Sequence, residues 1–359
     1  MKAFKYVLGY LLLLQLALPY LLPFDLVFRD RMDYNLVKDN LSSIDVILDN
    51  ISRQIRQEHL ENYIIILGDS VAYSGPGDAS QSIGHYIQDL ADESSLSNSP
   101  RIYNLSMPAM QMGDIYTMLL KLEEHQISTQ NLIVDVAYQG FVVRNPDPAI
   151  VFWLQEDLKS LDRVSYDHVM GNLEANTHHK DSTLQTAVHK LLWKNVAILH
   201  FSGFIKKGML QEGRAIIGAG PMDDSIGDAR VWSEKPGLRE FLRQAEYERD
   251  FSAQDFDLSN DNPQIYFLDN IIAHQKGKHT LVFMAAANQE LMNDKVTAPG
   301  YVRNLQQVDN YFKDQPVQYI NMYGQINSDL FSDHLHLVAD GNRELARMLW
   351  DNFNKGDRS

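Results

Sequence analysis

From Tyr63 onward, short apolar runs alternate with longer stretches in which apolar positions recur three and four residues apart. The runs are "YIIIL", "RIYNLS", "LIVDVAY", "HTLVFMAAA" and "VQYINM", and the intervals hold segments such as "SIGHYIQDLADE" and "YVRNLQQVDNYFKD". A strand buried on both faces reads as a continuous apolar run, and its alternation with amphipathic helices predicts βαβ units and a parallel sheet. One interval breaks the rhythm: roughly 130 residues, over about 141–278, separate the third run from the fourth. Long structureless loops are uncommon in compact domains, so this length predicts an inserted helical subdomain. No internal repeat is present.

The amino terminus has a different pattern. After Lys2 and Lys5, residues 6–24 read "YVLGYLLLLQLALPYLLPF" without a charge. Such a run nearly matches the ~30 Å hydrocarbon thickness at about 1.5 Å per helical residue, which predicts a single membrane-crossing anchor over residues 1–30. A cleaved signal peptide is the rival reading, but no small-x-small cleavage site stands out. With the lysines preceding the apolar run, the positive-inside rule places the rest of the chain on the outer face of the membrane. Over 31–60, Val37, Leu41, Ile44, Leu48, Ile51 and Ile55 alternate spacings of four and three, the pattern of a helical stalk. Val46 and Ile47 widen the stripe, so the same segment also reads as an amphipathic helix lying against the globular domain. The α/β domain then occupies 61–359.

Composition narrows the function. With 359 residues and 45% hydrophobic content the chain can bury a sizeable core. A formal net charge of -15 disfavours nucleic acid, whose phosphates need a basic stripe. The chain has no cysteine, which excludes disulfides, thiolate metal sites and a cysteine nucleophile. His178 and His179 in "NTHHKD" lack the carboxylate or histidine spacing of a metal site, so no metal or cofactor is implied. Within the insertion, "LLWKNVAILHFSGFIKKGM" reads as a buried helix, or as a segment that dips into a membrane surface or lines an acyl groove.

Candidate chemistry gathers at two places. "YIIILGDSVAYSGPG" delivers Ser70 to the carboxyl end of a buried strand, where open α/β sheets place their sites. A serine hydroxyl needs a base and a group that orients the base. Near the other end, "FSDHLHLVADGNRELARML" offers Asp333 and His336 as Asp-x-x-His on a turn, a spacing at which one imidazole nitrogen can meet the carboxylate while the other faces Ser70. Asp69 reads as the holder of the turn. His334, at the wrong offset from Asp333, is a candidate for a structural or substrate-contact role.

"LGDSVAYSG" followed by "SDHLHLVADGNRELA" resembles the SGNH, or GDSL, hydrolase superfamily across the sheet-forming parts of 63–352. The resemblance implies a three-layer α/β/α, flavodoxin-like fold with a five-stranded parallel sheet. It assigns Ser70 as nucleophile, His336 as base and Asp333 as its orienter, and an oxyanion hole of the Ser70 N–H, a glycine N–H after the second strand and an asparagine amide after the third. The chain departs from it twice. "YNLSMPAMQMGD" keeps Asn104 but has Ala109 at the glycine position, and "LIVDVAYQGF" has Gln139 at the asparagine position. A main-chain donor survives the first change, and glutamine carries the same amide on a longer side chain. Asn104 and Asn288 are further candidates for substrate contact, with a helix cap the competing reading for Asn288.

These readings converge on serine-dependent acyl transfer at an oxygen ester of a cell-envelope polysaccharide, on the outer face of a bacterial membrane. An acyl donor and a carbohydrate acceptor are the expected partners. By its single amino-terminal anchor the chain also resembles tethered proteins that work beside a multi-span membrane acyltransferase. A simple esterase, or a binding and assembly module that retains the fold without catalysis, are the alternatives.

Overall fold

The structure, a computed structural model, describes residues 2–94, 99–142, 149–173, 196–219 and 224–356. The apolar runs form the strands β1 (Tyr63–Leu67), β2 (Arg101–Asn104), β3 (Asn131–Val136), β4 (His279–Met284) and β5 (Gln318–Asn321). They make one five-stranded, all-parallel sheet in the order β2-β1-β3-β4-β5. Ile65 stands opposite Tyr103 on one side and Leu132 on the other, and Ile133 opposite Leu281. Every residue of β1 is buried, as are all but the first of β3 and β4, which is why these segments carry almost no polar side chains.

Helices cover the sheet in a three-layer α/β arrangement. α1 (Lys2–Leu21) and α2 (Ser43–Glu58) precede it, α3 (Ile83–Glu93) joins β1 to β2, and α4 (Met112–Glu124) joins β2 to β3. α5 (Ser202–Ile216) and α6 (Pro263–His274) lie between β3 and β4, α7 (Pro299–Lys313) joins β4 to β5, and α8 (Ala339–Gly356) comes after β5. α3 packs on α8, and α4 on α6. Because strand order turns back between β1 and β3, the loops leaving their carboxyl ends diverge and open a crevice there.

The long interval between β3 and β4 carries helices among its described residues, α5, α6 and short ones such as Gln155–Leu161 and Arg163–Val169, joined by irregular segments. Its beginning is pinned by Asp114 of α4, whose buried carboxylate accepts from the backbone N–H groups of Phe152, Trp153 and Leu154 and from Gln111 N. Burial pushes the Asp114 carboxyl up to about 6, against the lowering effect of these four donors. The pair His178 and His179 lies outside the described residues.

Two expectations from the amino-terminal pattern are corrected. Among the described residues no helix is long and apolar enough to cross a membrane. Tyr6, Gly9, Tyr10, Gln15 and Pro19 dilute the apolar run, and α1 lies along the short helix Ala197–His200. The 31–60 segment does not stand off as a stalk. It breaks at Asn40 between the short helix Tyr34–Asp39 and α2, and Ile44, Val46, Ile47, Leu48 and Ile51 are buried in the common core. The widened apolar stripe that argues against a strict heptad seam is what packs.

Candidate active site

Ser70 opens a single helical turn, Ser70–Tyr73, directly after β1. Asp69 caps it by accepting from Val71 N at 2.8 Å, and the turn closes on Ser74 in the left-handed conformation, φ 64. Gly68 is required by closeness: a Cβ there would fall 2.3 Å from the Asp135 Cβ and 2.8 Å from the Ala72 Cβ. The serine is thus held at the strand end by a backbone that cannot drift.

Asp333 and His336 come to the same place from the loop before α8. Asp333 Oδ1 accepts from Leu335 N at 2.9 Å and His336 N at 2.8 Å, so the carboxylate closes its own turn. Its Oδ2 meets His336 Nδ1 at 2.7 Å, and His336 Nε2 stands 2.8 Å from Ser70 Oγ. Burial alone would raise Asp333, but the facing His336 holds its carboxyl well below the usual carboxylate range. For His336, burial opposes the charge, yet Asp333, through charge and hydrogen bond, and Asp69 lift its pKa above the ordinary histidine value. This is the arrangement of a nucleophile, a base and an orienting acid.

The remaining candidates divide. Ala109 has φ 64, a conformation that favours glycine. It is held by Met110 N donating to Met107 O, by Trp153 Nε1 donating to Pro108 O and by Gln111 Nε2 donating to Ala109 O. Gln139, on the turn Tyr138–Gly140 after β3, lines a cavity of about 20 Å³ together with Asp69, Met110 and Asp135. Asn104 is fully buried: its Nδ2 donates to Ala72 O and its Oδ1 accepts from Ser106 N, so its amide braces the turn that carries Ser70. Asn288 is equally committed, donating to Asp333 O and accepting from Glu290 N and Leu291 N. His334 packs against Tyr247 and Phe251 with its Nδ1 3.5 Å from Asp333 Oδ1, and burial brings its pKa down to about 4.

Three supports escape a reading of the sequence. Asp135, on β3, sits at the heart of the site: its Oδ2 accepts from Ala72 N at 3.3 Å, and burial, with the neighbouring Asp69 charge, pushes its pKa well up. Its signal is that it is the single charge in the run "LIVDVAY". Arg31, with its side chain fully buried, donates to the carbonyls of Tyr73, Ser74 and Gly77 at 2.7 to 3.0 Å, stacks over the Tyr73 ring and lies 3.5 Å from Asp224. The insertion braces the other half of the site, with Trp232 N donating to Phe331 O and Lys235 Nζ donating to Ser332 O. Among the described residues no cluster of side chains could hold a metal ion.

A cavity of about 1000 Å³ lies elsewhere. It is bounded by Leu26, Arg29, Asp33, Lys206 and Leu210, between α5 and the chain before α2, and neither Ser70, Asp333 nor His336 lines it. No protein-family model matches the chain, and no curated protein is significantly similar to it.

Proposed function

We propose that the protein is a serine acyltransferase or esterase of the SGNH type, with a flavodoxin-like sheet order, acting on oxygen esters of a cell-envelope polysaccharide. The observation that carries this reading is His336, placed with one ring nitrogen 2.7 Å from Asp333 and the other 2.8 Å from Ser70. Ser70 Oγ attacks the acyl carbonyl carbon while its proton passes to His336 Nε2, and Asp333 stabilises the imidazolium. The N–H groups of Ser70 and Ala109 and the Gln139 amide receive the oxyanion. Collapse breaks the ester bond, His336 returns the proton to the departing alcohol, and the acyl group stays on Ser70. Water, or a carbohydrate hydroxyl deprotonated by His336, then takes the acyl group and restores the serine.

The same reading puts the protein at the outer face of a bacterial membrane, beside a multi-span acyltransferase that supplies the acyl group. The test begins with a fluorophosphonate probe, which should label the wild type and not Ser70→Ala. A folded wild type that never labels favours the non-catalytic binding module instead. An activated acetyl ester is then offered with and without cell-wall oligosaccharides. Acetylated sugar supports transfer, and free acetate alone, whatever the acceptor, reduces the function to an esterase.

A further inference from the structure

α1 is turned inside out for a helix bathed in water. Tyr6, Tyr10, Leu13, Leu16, Tyr20 and Leu21 are all more than 60% exposed. Gln15, the one amide in its apolar run, instead faces the protein, its Oε1 accepting from Ala197 N at 2.7 Å. A helix that hides its polar group and presents leucine outward, with tyrosines toward both ends, has the pattern of a lipid-facing element.

The surface continues onto α5. Phe204 is buried, Gly208 lies against Leu26 and Lys207 pairs with Asp33 at 2.7 Å, which fixes the inner side. Met209 and Ile216, with Ile217 just beyond, are exposed on the opposite side, while Leu210 lines the cavity toward Asp33. At about 100° per residue, Lys206, which also borders the cavity, and Arg214, which follows Lys207 by two turns, fall along the rim between that face and the cavity. α5 carries Lys206, Lys207 and Arg214 against Glu212 alone, and α1 carries Lys2 and Lys5 against no acid, in a chain whose net charge is -15. The short helix Ala197–His200 touches both α1 and α5 and joins them.

We propose that α5 and the exposed side of α1 form one face that lies along an anionic lipid surface, with Met209, Ile216 and Ile217 entering the interface and Lys206 and Arg214 at its rim meeting lipid phosphates. Apolar burial supplies the attraction, and the basic strip orients a molecule that is otherwise repelled by negative charge. The inference is independent of the chemistry assigned to Ser70.

The lack of cysteine makes the test direct. Met209→Cys, Ile216→Cys, Leu13→Cys and, on α7 beside the other edge of the sheet, Val302→Cys are labelled in the full chain with an environment-sensitive fluorophore. Each is mixed with phosphatidylcholine vesicles containing about one-third phosphatidylglycerol and a bilayer-borne quencher. Blue shift and quenching are expected at 209, 216 and 13 and not at 302. Lys206→Glu with Arg214→Glu should weaken vesicle binding about tenfold or more. Quenching at 13 alone, no vesicle binding, or a shift at 209 and 216 that grows with protein concentration without vesicles would overturn the proposal.

Discussion

A side chain on Gly68 would begin 2.3 Å from the Cβ of Asp135. Gly68 directly follows β1 and Asp135 is the penultimate residue of the adjacent β3, so the contact sets how closely β1 can deliver Ser70 to the crevice beside β3. Gly68→Ala must therefore push apart a packed backbone, which overpacking experience places at about 1–3 kcal/mol or more. Urea unfolding should show that loss. Fluorophosphonate labelling of the still-folded variant should slow by more than tenfold, because the displaced turn loses the 2.8 Å approach of Ser70 to His336. Wild-type stability with wild-type labelling would show that the turn is not held by this contact.

With His336 as the proposed base, the pH dependence follows from its titration. Its pKa is raised, and the base works only when neutral, so activity should climb with pH through a midpoint above the ordinary histidine value of about 6.5. Below that midpoint the imidazolium cannot take the serine proton. Asp333→Asn removes the charge responsible for the lift, so the midpoint should fall, and the rate should drop by roughly two to four orders of magnitude as the ring loses its orientation. Profiles of kcat/KM against pH for an activated ester check both. An acid limb that stays in place in Asp333→Asn would separate Asp333 from the titration.

How much of the fold and site is legible in the sequence depends on where each residue finds its partners. The strands are readable because a parallel strand covered on both sides admits little but apolar residues, as Ile64, Ile65 and Ile66 illustrate. Asp333 and His336 are readable because their mutual contacts close within a single turn. Arg31 is not. Its sequence neighbourhood "VFRDRMD" holds a second arginine, Arg29, which stays on the surface, and the carbonyls that distinguish Arg31 lie 42 to 46 residues further on. Asn104 has the sequence position of a site residue, after β2, but its amide is spent on Ala72 O and Ser106 N, which local pattern cannot reveal. The outward leucines of α1 likewise show that an apolar run states burial without stating in what.

Arg31 ties the chain before α2 to the back of the nucleophile turn. Arg31→Met keeps much of the volume but leaves the carbonyls of Tyr73, Ser74 and Gly77 without their donor and Asp224 without its ion pair. Breaking a buried charged pair by removing one partner costs about 3–5 kcal/mol. Thermal unfolding should register that loss, with slowed labelling of Ser70 at temperatures where the variant remains folded. Arg31→Lys should recover little, since an ammonium cannot reproduce the guanidinium fork on several carbonyls at once. A lysine variant equal to wild type in both measurements would mean that charge alone suffices.

Ala109 tests whether the departure from glycine matters to the chemistry. The residue is held at φ 64, where an alanine Cβ costs roughly 1 kcal/mol that glycine does not bear. Ala109→Gly relieves that strain while freeing the unfolded chain by about 0.4–1 kcal/mol, and the two effects oppose, leaving a net change of at most about 0.6 kcal/mol in favour of the variant. The backbone N–H is the same in both. Labelling of Ser70 should then hold at the wild-type rate or rise slightly as the Cβ is cleared from the donor. Ala109→Val places a β-branched side chain in the same left-handed conformation, and both stability and labelling should fall. If Ala109→Gly instead slows labelling about tenfold at unchanged stability, the methyl group rather than the N–H is what the site requires, and the oxyanion would have to rest on Ser70 N–H and Gln139.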